Sequence, residues 1–357
     1  MPLKSKGRDL FKRSNVFFTN IQFLPMLYPL TFETIFKDKI WGGQKIKTIL
    51  GKDFTTESAG ALPNCGETWE VSGVAGNVSV VKDGQLAGKN LAELIGEYKA
   101  DLVGQHVYEQ FGDTFPLLVK FIDANDDLSI QVHPNDQLAK ERHNSFGKTE
   151  MWYILQADEG ATLNSGFNRT VSRDEYLKAV EENTLMDILN IEPAKPGDVF
   201  FLPAGRVHYI GKGLLLAEIQ QTSDITYRIY DFDRTDDKGQ KRELHTEQAV
   251  DAIDYQFHDT YKTEYEKALN HSVNAVTCPY FVTNVLHFDR EVLHDFSHLD
   301  SFVILVCVGG GVTIQSGSDH EITLKMGQCA LIPASVKSVT LIPDGEMTLL
   351  ESYVPGV

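Results

Sequence analysis

Four side chains in this sequence have the types and spacing of a metal site: Gln131, His133, Glu150 and His208. Residues 128–133 read Leu-Ser-Ile-Gln-Val-His, an alternating run. Strand side chains alternate between faces, so Gln131 and His133 point one way while Ile130 and Val132 point into packing. Pro134-Asn135-Asp136 stops the strand, because proline has no amide proton for a ladder and Asn-Asp favours turns. A charged, loop-like segment follows. Glu150 then opens a second apolar run, Met151 to Leu155, expected to lie beside the first. An amide, an imidazole and a carboxylate on neighbouring strands make most of a metal site. The run from Lys195 to His208 ends on a histidine that would complete it. Mixed N/O ligands suit Zn²⁺ with an open coordination position. A lone histidine is more often only a satisfied polar group, and the four together are more specific than any one.

Gly197, Pro203, Gly205 and His208 are spaced as in the second sequence motif of the cupin β-barrel. Gln131, His133 and Glu150 resemble the first motif loosely, with Gln in the first His position. Residues 130–136 (IQVHPND), 147–152 (GKTEMW), 223–228 (SDITYR), 40–43 (IWGG) and 66–72 (GETWEVS) resemble type I mannose-6-phosphate isomerase in its shorter bacterial form. The likeness runs in order from about Met26 to the C-terminus. It implies a mainly β fold of two cupin (jelly-roll) barrels with a few helices. It implies one zinc ion per chain, held in the first barrel by Gln131, His133, Glu150 and His208. The implied reaction interconverts mannose 6-phosphate and fructose 6-phosphate through an enediol. Arg228 matches the family's catalytic arginine. Asp224 matches one of its proposed bases and is expected on the same strand face. Lys148, sharing a face with Glu150, resembles the site lysine. Without the resemblance, Arg228 reads as a surface residue and Asp224 as its ion-pair partner. Longer-form members carry His where this chain has Gly147. Lys148, Arg206 and Lys120 are the candidates for the phosphate, with nothing to choose among them.

The elements that must position these residues follow from the pattern. Residues 1–25 read as an N-terminal extension, non-native or disordered, with a basic start and Met26 as an alternative start. Their apolar stretch is short and interrupted, unlike a signal peptide. Residues 26–245 read as a catalytic cupin domain with helical insertions. Within it, Tyr28 to Val80 is strands and turns. Leu91, Leu94, Ile95, Tyr98, Leu102 and Val103 recur at three and four, predicting one or two amphipathic helices over 88–111. Residues 116–122 make a buried strand. Ser172-Arg173-Asp174-Glu175 is a capping box opening a helix to about Leu189. Residues 246–269 read as a polar connector, and 270–357 as a metal-free cupin-like β domain. In that last part Gly327 to Ser338 echoes Gly197 to His208, with Ser338 at the metal histidine's place.

Composition bounds the function. The 357 residues carry 33 Lys+Arg against 50 Asp+Glu, a net charge of −17, which argues against nucleic acid or an anionic membrane as partner. A phosphate substrate must therefore meet a local positive patch. Cys65, Cys278, Cys307 and Cys329 form no CxxC, so reduced thiols and a cytoplasmic setting are expected. A monomer or homodimer acting on a small sugar phosphate is expected. A non-catalytic sugar-binding paralogue is the alternative. A different metal cupin, such as an iron dioxygenase, is disfavoured by Gln131 and the isomerase-like segments.

Overall fold

The computed structural model describes residues 24–235 and 239–356. Of the expected extension, only Leu24 and Pro25 fall among them; residues 1–23 lie outside. The first barrel is built from β1 (Ile35–Lys37), β2 (Glu67–Ser72), β3 (Leu117–Ala124), β4 (Ile130–Val132), β5 (Glu150–Ala157), β6 (Thr162–Phe167), β7 (Leu189–Pro193), β8 (Val199–Leu202), β9 (His208–Ile210), β10 (Leu214–Gln221), β11 (Tyr227–Tyr230) and β12 (Lys262–Thr263). The second uses β13 (His271–Thr277), β14 (Val282–Phe288), β15 (Val292–Asp295), β16 (Val303–Gly309), β17 (Gly311–Ser316), β18 (His320–Lys325), β19 (Cys329–Ile332), β20 (Ser338–Pro343) and β21 (Met347–Tyr353).

Each barrel closes from two antiparallel sheets. In the first they run β1-β2-β3-β10-β5-β8-β12 and β11-β4-β9-β6-β7; in the second, β13-β14-β21-β16-β19 and β15-β20-β17-β18. The internal echo is structural. β3-β10-β5-β8 and β14-β21-β16-β19 occupy matching places, and Gly197 (φ 85°) and Gly327 (φ 89°) each turn the chain just before β8 and β19. β9 starts at His208 and β20 at Ser338, which is exposed.

Strand alternation sets the layers. One face of the seven-stranded sheet sends Ile122, Trp152, Ile154, Phe200, Leu202 and Leu216 into the first barrel. Its other face, with Val119, Phe121, Met151 and Leu215, packs on Ile304, Val306, Leu331 and Leu350 of the second barrel. Leu30 clamps this seam by exchanging two 2.8 Å backbone hydrogen bonds with Leu331. Helices Arg173–Glu181 and Thr246–Ala252 cover the outer face of the five-stranded sheet.

Several local expectations need correction. Glu150 does not lie on a strand beside Gln131: β5 and β4 belong to opposite sheets, so the two face each other across the barrel. A sequence run cannot show this, because sheet closure is a non-local event. The charged segment after Pro134 is a helix, Asp136–His143, not a loop. Asn135 caps it by accepting the Leu138 amide at 2.9 Å, Asp136 opens it, and Lys140, Arg142 and His143 end it, all favourable to the helix dipole. Only Ala139 is buried, so no apolar stripe announced it. The Ser172 capping box forms as expected, but its helix stops at Glu181, with Asn183 left-handed (φ 56°). Residues 88–111 make three short helices, broken at Lys99 (φ 48°) and Gly104 (φ 97°). Short helical turns at Lys45–Thr48 and Glu57–Ala59 interrupt the stretch from Tyr28 to Val80. The supposed connector, 246–269, carries a helix and β12, which pairs with β8.

Candidate active site

The corner after β8 delivers His208. Pro203 ends β8, and Gly205 takes φ 93°, a region open to glycine at little cost. Its amide donates to the His133 carbonyl at 2.9 Å, and a Cβ there would meet the Ala252 carbonyl oxygen at 2.9 Å. The chain thus crosses from one sheet to the other, setting His208 opposite Gln131 in register. From the facing sheet, the Thr149 amide donates to Gln221 Oε1 (2.9 Å), and Thr149 Oγ1 accepts the Ala204 amide (3.2 Å). Both anchors hold Thr149 and so fix the adjoining Glu150.

His133, Glu150 and His208 are buried, and each offers a ligand atom within 4.8 Å of the others. His133 Nδ1 pairs with the Ile225 carbonyl (2.9 Å) and His208 Nδ1 with the Arg206 carbonyl (2.8 Å). A carbonyl only accepts, so both rings carry their proton on Nδ1 and turn the Nε2 lone pair inward. Burial holds the His208 pKa down at about 4 and that of His133 well below the usual imidazole value, so neither lone pair is lost to a proton at neutral pH. Gln131 Nε2 stands 3.2 Å from His208 Nε2, so turning the amide about its own plane would present its oxygen to the same point.

The Glu150 carboxylate gives the direct test of fit. Both its oxygens are buried without a hydrogen-bond partner. His208 Nε2, Lys148 Nζ and His133 Nε2 lie 3.3, 3.4 and 3.5 Å away, ion-pair distances without hydrogen-bond geometry. Burial, reinforced by Glu218, pushes its pKa up to about 7. An orphaned buried carboxylate facing two imidazole lone pairs is a place for a cation. Lys148 Nζ is drawn toward it, 3.1 Å from His133 Nε2. The residues fit a divalent ion: two neutral imidazoles, a neutral amide and one carboxylate leave the centre with a net positive charge.

Beside this centre lies a cavity of about 260 Å³. Lys39, Trp41, Glu67, Lys120 and Glu218 line one wall; Ser129, Asp224, Thr226, Arg228 and Arg242 line the other, with Gln131 and Lys148 beside the centre. Two glycines shape the first wall. A Cβ on Gly42 would sit 2.4 Å from the Gly66 amide nitrogen, so the Ile40-Trp41-Gly42-Gly43 and Gly66-Glu67 segments touch backbone to backbone. Lys39 reaches Glu67 at 3.2 Å, and Lys120 reaches Glu218 at 3.2 Å. Trp69 and Trp152 donate their indole protons to Glu67 (2.8 Å) and Glu218 (2.9 Å). Burial alone would raise both carboxyl pKa values. Lys120 overcomes it, with Lys39 at Glu67 and Lys148 at Glu218, holding Glu67 at about 2 and Glu218 below its usual value. A depressed folded pKa stabilises above the unfolded value of 4.5 and loses that stability as pH falls toward 2. Glu67 therefore contributes on the order of 3 kcal/mol that disappears over this window. Urea unfolding at pH 3 and pH 7 is expected to show a smaller pH-dependent difference for Glu67→Gln than for the unsubstituted protein.

Arg228 pairs with Gln131 across β11 and β4. Its Nη1 donates to the Glu243 carbonyl (2.8 Å), and its buried Nε has no partner. Asp224 lies before β11 rather than on its face, exposed at the cavity rim. Among the described residues no ion pair joins it to Arg228. Arg206 is not in the cavity: its guanidinium lies over the Tyr261 ring at 4.7 Å, its Nη1 donates to Ser165 Oγ at 3.4 Å, and it lines a different hollow. Glu218, Lys39 and Arg242 were not singled out from the sequence. The available signal was a lone Lys120 and a lone Glu218, each inside a buried, largely apolar strand.

Gly147 has no room for the longer forms' histidine. Its amide donates to Asp136 Oδ1 (2.7 Å), and a Cβ would meet the Asp136 nitrogen at 2.6 Å. Gly147→His is expected to cost about 2 kcal/mol or more, read as a lowered urea midpoint; unchanged stability would show that the helix Asp136–His143 yields freely.

A family model for the phosphomannose isomerase type I catalytic domain matches residues 30–160. The mannose-6-phosphate isomerase of Streptococcus mutans is 41% identical over 232 residues, 64% of this chain and 68% of that protein. ManA of Bacillus subtilis, a mannose-6-phosphate isomerase, is 38% identical over 311 residues, 85% of this chain and 93% of its own length. The crystal structure of a mannose 6-phosphate isomerase from Bacillus subtilis superposes with a TM-score of 0.79 at 32% identity, over 91% of this chain and 99% of that one. The longer alignments extend the likeness beyond the catalytic segment, and the chain belongs to the type I phosphomannose isomerase family.

Proposed function

We propose that the chain is a zinc-dependent aldose–ketose isomerase that interconverts mannose 6-phosphate and fructose 6-phosphate through an enediol(ate). The observation that carries this reading is the orphaned Glu150 carboxylate, facing two inward imidazole lone pairs at the edge of a cation-lined cavity. The family relatives supply the substrate class. Gln131, His133, Glu150 and His208 would hold the ion. When bound, it supplies Lewis acidity for the oxyanion that develops as a proton moves between C1 and C2.

The chain's own groups do the rest. Arg228 lines the cavity and keeps a buried Nε–H without a protein partner, a donor left for an oxygen gaining negative charge. Lys148 sits beside the ligand set as a second donor. The base must be a carboxylate or amine free to take a proton from C2 and return it to C1. Glu67 and Glu218 are committed to tryptophan and lysine partners. Asp224 makes no hydrogen bond or ion pair among the described residues, which favours it for proton transfer, with Lys148 as its nearest competitor. Trp41, Trp152 and Ile122 keep the wall around Glu218 dry, strengthening each of these interactions.

The test is a coupled isomerase assay on purified protein, with metal analysis. Turnover of mannose 6-phosphate is expected to vanish with chelator and return with zinc. Full turnover in metal-stripped protein would sink the reading, and zinc-loaded protein without turnover would point to a binding paralogue. The same assay on Asp224→Asn addresses the base: an unchanged rate removes Asp224 from the step.

A further inference from the structure

The substrate proposed above carries a phosphate dianion, and the chain's net charge is −17. Something in the cavity must offset that repulsion. Five cations line it: Lys39, Lys120, Lys148, Arg228 and Arg242. Lys39 and Lys120 are tied to Glu67 and Glu218, and Lys148 sits at the ligand set. Two arginines remain.

Arg242 is held in a fixed pose. Its Nε donates to Asp231 Oδ2 at 2.7 Å, and its Nη2 donates to Asp231 Oδ1. Its Nη1 makes no hydrogen bond among the described residues, and its side chain is 25% exposed. Asp231 is buried and shared: Arg234 Nη2 also donates to its Oδ1 at 2.6 Å. Arg228 lies close enough to feel the repulsion of both other arginines. Three guanidiniums thus surround one buried carboxylate. The other acids nearby, Asp126 beside Arg234, Glu243 beside Arg228 and Asp224 on the same cavity wall, are exposed, where water and salt screen them. Arg242 also forms the wall between this cavity and the neighbouring hollow that Arg234 and Leu244 line. The surplus positive charge lies at the Arg228–Arg242 end.

We propose that Arg242 anchors the substrate's phosphate through its free Nη1 edge, with Asp231 orienting it and Arg228 and Arg234 supplying the surrounding positive field. This rests on the sugar-phosphate reading of the same cavity. A planar, permanently charged guanidinium matches phosphate geometry and keeps its charge at every physiological pH. The arrangement makes Arg242 the residue that selects phosphorylated over neutral sugars, while the chemistry proceeds beside Glu150.

Two readouts test it on the zinc-loaded full chain. One is the KM for mannose 6-phosphate; the other is inorganic phosphate binding by calorimetry, which needs no turnover. Arg242→Ala is expected to raise KM and weaken phosphate binding by about 10- to 100-fold, the loss of one charge-assisted contact, with kcat changed far less and zinc content unchanged. Arg242→Lys is expected to recover part of the affinity. Should Arg242→Ala not fold, Arg242→Gln carries the same comparison. Phosphate affinity and KM equal to those of the unsubstituted protein in the Ala or Gln variant would overturn the assignment. If the unsubstituted protein binds phosphate through Arg242 yet turns over no mannose 6-phosphate, the isomerase reading fails and this one stands. If it turns over substrate and Arg242→Ala leaves KM alone, only this one fails.

Discussion

His208→Ala is expected to remove bound zinc and turnover together. His208 is buried, its Nδ1 is tied to the Arg206 carbonyl, and its Nε2 lies 3.3 Å from Glu150 Oε1. Alanine deletes one of the four proposed ligands and leaves a void beside Trp152, whose ring meets the imidazole at 5.4 Å. Losing a group that only orients a ligand already costs about 10- to 100-fold in metal affinity, and losing the ligand itself costs more. The effect should separate cleanly from misfolding. The corner that carries His208 is set by Pro203, Gly205 and backbone hydrogen bonds, and it loses only one contact with the imidazole, at the Arg206 carbonyl. Added zinc at a thousand times its Kd should stabilise the unsubstituted protein by about 4 kcal/mol and the variant by almost nothing. Thermal unfolding with and without zinc, beside metal analysis, checks this. A variant that holds a full equivalent of zinc would show that the ligand set is wrong.

Much of this site was legible in the sequence because local rules fix it. Strand alternation places Gln131 and His133 toward one space, and the Gly197–Pro203–Gly205 spacing demands a corner ending at His208. The two-barrel fold was legible for the same reason: Gly327 to Ser338 repeats that run, with Gly327 left-handed like Gly197 although Ser335 stands in the place of Gly205. What escaped were the features created by closure. Glu150 and Gln131 meet because opposite sheets face each other, which no run of residues displays. Lys120 and Glu218, 98 residues apart in sequence, become partners only when β3 and β10 pair in register. The helix Asp136–His143 is defined by its caps and charges, and a reading based on apolar periodicity passes over it. Arg242 arrives from the return loop after β11, where only the bidentate contact with Asp231 gives it a place.

Arg228→Ala is expected to lower kcat by roughly 10²- to 10³-fold, the usual cost of deleting one donor to a developing oxyanion, with zinc content unchanged. The side chain touches no ligand atom: its Nη1 is bonded to the Glu243 carbonyl and its Nε points to no protein acceptor. The backbone that fixes Gln131 survives the change, since β11 pairs with β4 through main-chain groups and the Arg228 amide donates to His245 Nδ1. Arg228→Lys is not a mild control. Lysine keeps the charge and loses the planar Nε–H edge, so kcat should stay low. KM separates this residue from its neighbour. Arg242 repels Arg228, so removing Arg228 relieves that repulsion and leaves Asp231 to hold Arg242 in place. KM for the sugar phosphate should therefore rise less in Arg228→Ala, which only thins the surrounding field, than in Arg242→Ala, which removes the contact itself. Steady-state kinetics of both variants distinguish the two roles. A kcat near that of the unsubstituted protein in Arg228→Ala would remove the guanidinium from the chemical step and leave Lys148 as the donor to test next.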